Sequence, residues 1–518
     1  NCGSKPGIPC NCPLAVNTWP MLGTLFLSFA ALLAQVSFGA SEGDVATVSH
    51  SAEVAQLRLE IAQLRQLLDA TATASHALER RLLGEPPKSP MPSGALTKLS
   101  VDNVMQSTND QFQEDYKDLK GAMDSLWLIL CGAMVMFMHP GFAMLETGCS
   151  RAKNAQSVLF KNLLNVTVAS LAWYIFGFAF AYGGPFEDDG KHLKNGFIGA
   201  KGFAAHAFLK EDDTGNMAID KGTSTMLTWF FQWAFCSAAA TIVSGAVAQR
   251  VKSPAYAIYA FIMAGFIYPV VVAWTWNNGW IMKVADVGYM DFAGSGVVHL
   301  TGGIGALTGA FILGPRINWH PDDPAFHPHN VPLVVLGTFI LWFGWYGFNC
   351  GSTLGLHDAG TGALAAQVAM NTTVSASVAG IVVFTLQYAK LRKYDVVGMC
   401  NGILGGLVSI TAGCGNVETG SALMIGIIGG FIYKGSAMSV EYLGIDDPVD
   451  ASSVHGACGI WGLIAAALFD WGHHWGAPLD HFHGWDGFTC MKDANNACRT
   501  SIGGKVVGVN IAMALSIM

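Results

Sequence analysis

Apolar and polar positions divide this chain near residue 125. Beyond it, continuous apolar, glycine-rich runs alternate with polar loops, without the every-other-residue pattern of a half-buried strand. Eleven such segments stand out: 125–147, 158–182, 224–248, 255–276, 292–314, 331–351, 363–389, 396–413, 419–436, 454–470 and 503–518. Most approach the roughly 20 residues a helix needs to cross about 30 Å of hydrocarbon, and the eleventh is short for it. Unbroken apolarity argues against a β-barrel.

Before residue 125 the pattern changes. From Met21 the run MLGTLFLSFAALLAQVSFGA reads as a signal-peptide core ending in small residues. No basic segment precedes it, so a retained anchor is the alternative. Val54, Leu57, Ile61, Leu64 and Leu68 then alternate by three and four, with Leu78 and Leu82 in the same frame. That short heptad signal fits a coiled coil or a lone amphipathic helix. The chain therefore divides into a leader (1–43), an extracellular heptad helix (44–95), a polar linker (96–124) and a membrane domain (125–518).

Composition narrows the class. Charged residues make up only 12%, about half the share in a soluble domain. Glycine, at 61 residues, permits the close helix–helix approach that packing in lipid requires. The expected fold is an all-α polytopic membrane protein whose surroundings are the lipid bilayer. The net charge of −8 sits mostly in loops, and no nucleic-acid partner is expected. No CxxC-type array is present, so neither a metal nor a cofactor is expected. Arg151, Lys153, Arg250, Lys252, Arg316, Lys390, Arg392, Lys393 and Lys434 all fall on one side of the segments. Basic loops mark the cytoplasmic face, which puts the N-terminus outside and favours the plasma membrane. Segments one to five and six to ten form two halves; because five is odd, the halves are inverted repeats, as in many transporters.

One pattern recurs in both halves. Asp291 stands eight residues before His299, and Asp447 eight before His455. The frame Val298-His299-x3-Gly303-Ile304-x2-Leu307 repeats as Val454-His455-x3-Gly459-Ile460-x2-Leu463, 156 residues later. An ionisable group inside a span is costly and marks a pathway by default. Asp447 and Asp450, just before the tenth segment, read as caps of that helix.

The stretches GFAMLETGCSRAKN (141–154), FFQWAF (230–235), DFAGSGVVHLTGG (291–303), GTFILWFGWYGFNCGS (337–352) and DDPVDASSVHGACGIWG (446–462) closely resemble the Amt/Mep/Rh ammonium transporters. The pairing of DFAGSGVVH with LWFGWYGFN, and the insertion NGFIG (195–199), are most similar to the plant-type Amt subgroup. The resemblance implies a homotrimer that is no enzyme and moves ammonium or ammonia. It implies recruitment of the cation at an outer mouth formed by Trp276, Ser352 and Phe231, organised by Asp291. Trp274 and Trp280 are competing candidates, because three extra residues separate Trp276 from Asp291 relative to some bacterial relatives. Phe235 and Phe348 match the stacked rings that close the pore, and His299 and His455 the twin pore histidines. The alternatives are an ammonium sensor signalling through a cytoplasmic tail, or a passive gas channel of the Rh kind.

Overall fold

The computed structural model describes residues 98–184, 197–206, 225–286, 288–321, 323–469 and 503–518, with isolated positions between these runs. The signal-peptide reading from Met21 and the heptads at 54–82 lie outside the described residues. Two compact units are present, Asn1–Asp110 and Gln111–Met518. Of the first, only the start of the leading helix is described; the second carries all that follows.

An apolar helix occupies every segment the hydropathy pattern marked. They are α1 (Gln106–Cys149), α2 (Ala152–Tyr182), α3 (Thr225–Ala246), α4 (Ser253–Trp274), α5 (Ser295–Leu313), α6 (Val331–Gly351), α7 (Ala359–Leu391), α8 (Val396–Thr411), α9 (Thr419–Tyr442), α10 (Ser452–Leu468) and α11 (Lys505–Ile517). Eight are long and apolar enough to cross a membrane, while α8, α10 and α11 are shorter. The stretch expected as a linker, 96–124, is helical from Lys98 onward and runs into α1. Strand pairing among the described residues is confined to two ladders of two-residue strands in connecting loops. The fold is an all-α polytopic membrane protein. Large apolar side chains such as Leu163, Phe311, Ile312 and Phe339 point outward, as they do where the solvent is lipid.

Local chemistry explains where these helices bend. Pro140 has no N–H to offer the Met136 carbonyl one turn back. His139 Nδ1 donates to that carbonyl instead, at 2.9 Å, and its Nε2 meets Ser237 Oγ on α3 at 2.7 Å. π-Helical turns interrupt α2 at Trp173–Gly177 and α4 at Met263–Ile267. The helices bearing the twin histidines both begin with such a turn, Ser295–Leu300 in α5 and Ser452–Ala457 in α10.

Glycine sets how closely α5 and α10 approach. A Cβ on Gly303 would run into the backbone of His455 and Gly456, and one on Gly459 would lie 2.7 Å from the Ser295 carbonyl oxygen. These are the two glycines of the repeated frame, so each helix presents its bare backbone to the other. At the end carrying the basic loops, Asp446 clamps the loops together. Arg316 donates to both of its carboxylate oxygens at 2.8 Å, and Arg250 donates to its main-chain carbonyl. At the opposite end, Asn510 of α11 pairs with the backbone N–H and carbonyl of Met290 and with the Leu463 carbonyl. That brace holds the loop leading into Asp291.

Candidate pore site

Asp291 organises the start of α5. Its Oδ1 accepts from the amides of Gly294 and Ser295, and its Oδ2 from those of Gly296 and Val297 and from the Tyr289 hydroxyl, all within 3.0 Å. Four otherwise orphaned amides at a helix N-terminus thus share one carboxylate. Burial pushes its pKa up, and the amides and phenol oppose that rise. A group that accepts five bonds and donates none is bonded as a carboxylate. Gly294, at φ +109°, turns the chain around it, a conformation open to glycine at little cost.

The Asp291 main chain also fixes a tryptophan. Trp276 Nε1 donates to the Asp291 carbonyl at 2.9 Å, and its ring meets Phe235 edge to face at 6.0 Å. Trp274 packs instead on Phe197 and Trp280. Of the three candidates, the one beside the phenylalanines is Trp276. Phe231 lies 4.8 Å from Phe235, whose ring faces Phe348 at 4.1 Å. Ser352 Oγ donates back to the Phe348 carbonyl, at the end of α6 where Gly351 packs against the Phe231 ring.

The row of rings continues into the histidines. Phe348 stacks on His299 at 5.2 Å, and His299 on His455 at 5.2 Å. Their Nδ1 atoms are 3.2 Å apart. That contact accommodates one proton, with one imidazole donating and the other accepting. His299 Nε2 is buried and meets no protein hydrogen-bond partner. The structure therefore brings Trp276, Phe231, Phe235, Phe348, His299 and His455 into one file, with Asp291 behind its mouth.

Two features of the site escaped sequence reasoning. Trp345 also stacks on His299, at 5.0 Å, and is tied to Thr411 through its indole N–H. The available signal was its place three residues before Phe348, one turn along the same helix face. Glu146 lies in the wall of the cavity that His455 also lines. Of the two expected caps, Asp447 accepts from the Ser452 amide and hydroxyl. The Asp450 side chain does not cap; it accepts from Tyr433 and Asn401. The loop folds back over α8 and α9, and those partners lie too far away in sequence to be inferred.

Comparison with known proteins finds one family. The sequence profile of the Ammonium Transporter Family matches residues 126–517. Ammonium transporter Amt2 of Archaeoglobus fulgidus is 40% identical over 357 residues, covering 67% of this chain and 71% of that protein. Ammonium transporter 1 member 3 of Solanum lycopersicum is 38% identical over 364 residues, covering 67% and 75%. Among solved structures, a sensor Amt protein superposes with a TM-score of 0.63 at 33% identity, covering 77% of this chain and 90% of that one. Saccharomyces cerevisiae Mep2 gives 0.63 at 28% identity, covering 76% and 83%. A profile match over most of the chain, carried by an all-α membrane fold, shows that this protein belongs to the ammonium transporter family.

Proposed function

We propose that this chain carries ammonium across a membrane by capturing the cation at Trp276, passing its proton to the hydrogen-bonded imidazole pair of His299 and His455, which relays it onward, and passing ammonia along the same two residues. The observation that carries the reading is the pair of buried imidazoles in Nδ1–Nδ1 contact behind the stacked Phe235 and Phe348 rings. A cation over an indole gains about 0.5–2 kcal/mol, and a hydroxyl bond to an ion about 1.5–3 kcal/mol. Both are useful at a wet mouth, with Ser352 as the hydroxyl. They do not offset the several kcal/mol it costs to bury a bare ion. Desolvation lowers the pKa of an amine-type cation, so ammonium crosses the phenylalanine pair as ammonia. Potassium has no proton to lose and is rejected. The imidazole nitrogens then supply the bonds that ammonia needs.

The basic-loop end is the cytoplasmic side in this reading, and the assembly is a homotrimer with one pore per subunit. A monomeric mass in mild detergent would remove the trimer. Likeness to a sensor Amt protein keeps a signalling role as the second reading. Uptake of labelled methylammonium in a transport-deficient host separates the two.

Currents under ammonium and then potassium, for wild type and three variants, test the twin-histidine mechanism. His299→Leu and His455→Leu are expected to lose selective transport while inserting normally. His299→Asp is expected to admit potassium, because a fixed charge stabilises a bare cation. Wild-type transport and selectivity in all three variants would sink the mechanism.

A further inference from the structure

Beyond His455, on the side away from Trp276, lies a small cavity of about 20 Å³. It is lined by Phe142, Leu145, Ile242 and Val454, and by two ionisable side chains, Glu146 and His455. A space of that size holds one water-sized molecule. Glu146 is 1% exposed and forms an ion pair with Lys161 at 3.1 Å. Its Oε2 accepts from Lys161 Nζ and from Asn162 Nδ2, and its Oε1 from the Ser244 hydroxyl. Lys161 is spent on Glu146 and on the Ser244 carbonyl, with its ammonium 5.8 Å over the Tyr256 ring.

Two arguments set this pair apart from an ordinary structural ion pair. Replacing a buried ion pair by apolar residues of similar volume is often neutral or stabilising, so packing alone does not call for charges here. A carboxylate also has about four acceptor positions, and the protein fills three. The open one is on Oε1, and Glu146 shares its cavity with a pore histidine. A fourth donor there must be small, and a single water, ammonia or ammonium fits. The cavity walls are otherwise apolar, and the lysine balances the carboxylate, so a bare cation gains no net fixed charge by entering.

We propose that Glu146 is a substrate station at the exit end of the pore, where a single ammonia or ammonium donates a hydrogen bond to the carboxylate as it leaves His455. This rests on the transport reading above. Lys161 is then a positioning residue, holding the carboxylate in the cavity wall and keeping the site neutral.

The test uses two double variants of the full chain in proteoliposomes, with currents recorded after ammonium jumps from either side. Glu146→Leu with Lys161→Met removes the acceptor and both charges. Glu146→Gln with Lys161→Met keeps an acceptor oxygen without charge. The first is expected to lower the maximal transport rate about tenfold, the value of one hydrogen bond to a charged group. Half-saturation from the Trp276 side should not change. The second is expected to regain most of the rate, which a purely structural role for the ion pair would not predict. A wild-type rate in the apolar variant overturns the station, and so does an equal fall in both variants. Should the apolar variant fail to insert, the glutamine variant decides alone. Half-saturation from the exit side near the wild-type value supports the station, and a rise of tenfold or more overturns it. Absence of wild-type ammonium current would overturn both the station and the transport reading. Wild-type current with an indifferent apolar variant removes the station only.

Discussion

Trp276 is held by two contacts. Its indole N–H is held by the Asp291 carbonyl and its ring meets Phe235 edge to face, and in the proposed function its indole is where the cation docks. Removing a cation–π contact of about 1 kcal/mol raises half-saturation roughly fivefold. Trp276→Leu is expected to raise the ammonium concentration needed for half-maximal current by that order while leaving ammonia permeation largely intact. The same phenotype from Trp274→Leu, with Trp276→Leu silent, would move the recruitment site to the Trp274, Trp280 and Phe197 cluster. Asp291 was legible in sequence by its spacing, eight residues before His299 in a frame repeated at Asp447 and His455. Its five donors were not, because four are the amides of Gly294 and of the first three residues of a π-helical turn that exists only once the loop has folded around the carboxylate.

Among the helices, α5 and α10 carry the argument. The repeated frame places Gly303 and Gly459 at one register, and the structure shows why: each faces the other helix's backbone. A larger residue at Gly303 must push α10 away and part the imidazoles. Overpacking of this kind costs typically 1–3 kcal/mol. Gly303→Leu is expected to lower the thermal midpoint in detergent and to abolish transport. Gly435, where a Cβ would meet nothing, is the control: Gly435→Ala should leave both unchanged. A Gly303→Leu protein with wild-type midpoint and current would show that the close approach is dispensable. The Nδ1–Nδ1 contact is thus a product of helix packing, and a pattern of single residues shows only that both helices carry a histidine and a glycine at matched positions.

For the whole molecule, stability against pH turns on the acidic loop before α10. Burial pushes the Asp450 carboxyl up to about 6, and the nearby Asp447 charge adds to the rise. A folded-state pKa above the unfolded one means the folded chain holds the proton more tightly. Its contribution to stability is therefore full below the ordinary carboxylate range and is lost as pH rises through about 6. Asp450→Asn keeps an oxygen to accept from Tyr433 and Asn401 while removing the charge. It is expected to match or exceed the wild-type thermal midpoint at pH 7 and to flatten its dependence between about pH 4 and 6. A midpoint several degrees below wild type at pH 7 would show that the charge is needed, and that Asp446, clamped by Arg316 and Arg250, is not enough to hold this loop.

Taken alone, the sequence determined the membrane class, the placement of the apolar helices and the two Asp–His frames. Hydrophobic run length and residue spacing are local properties, and the lipid environment rewards them directly. Through motif likeness it also offered the aromatic residues of the candidate site, with three tryptophans in contention. Only tertiary structure shows that, of the three, it is Trp276 that meets Phe235 and the carbonyl of Asp291, 15 residues away in sequence. Only tertiary structure joined residues 156 apart into one imidazole pair, and set Glu146 beside His455 in a single cavity. Such contacts between distant segments follow from how closely the glycine faces let the helices pack, and no local pattern encodes that distance.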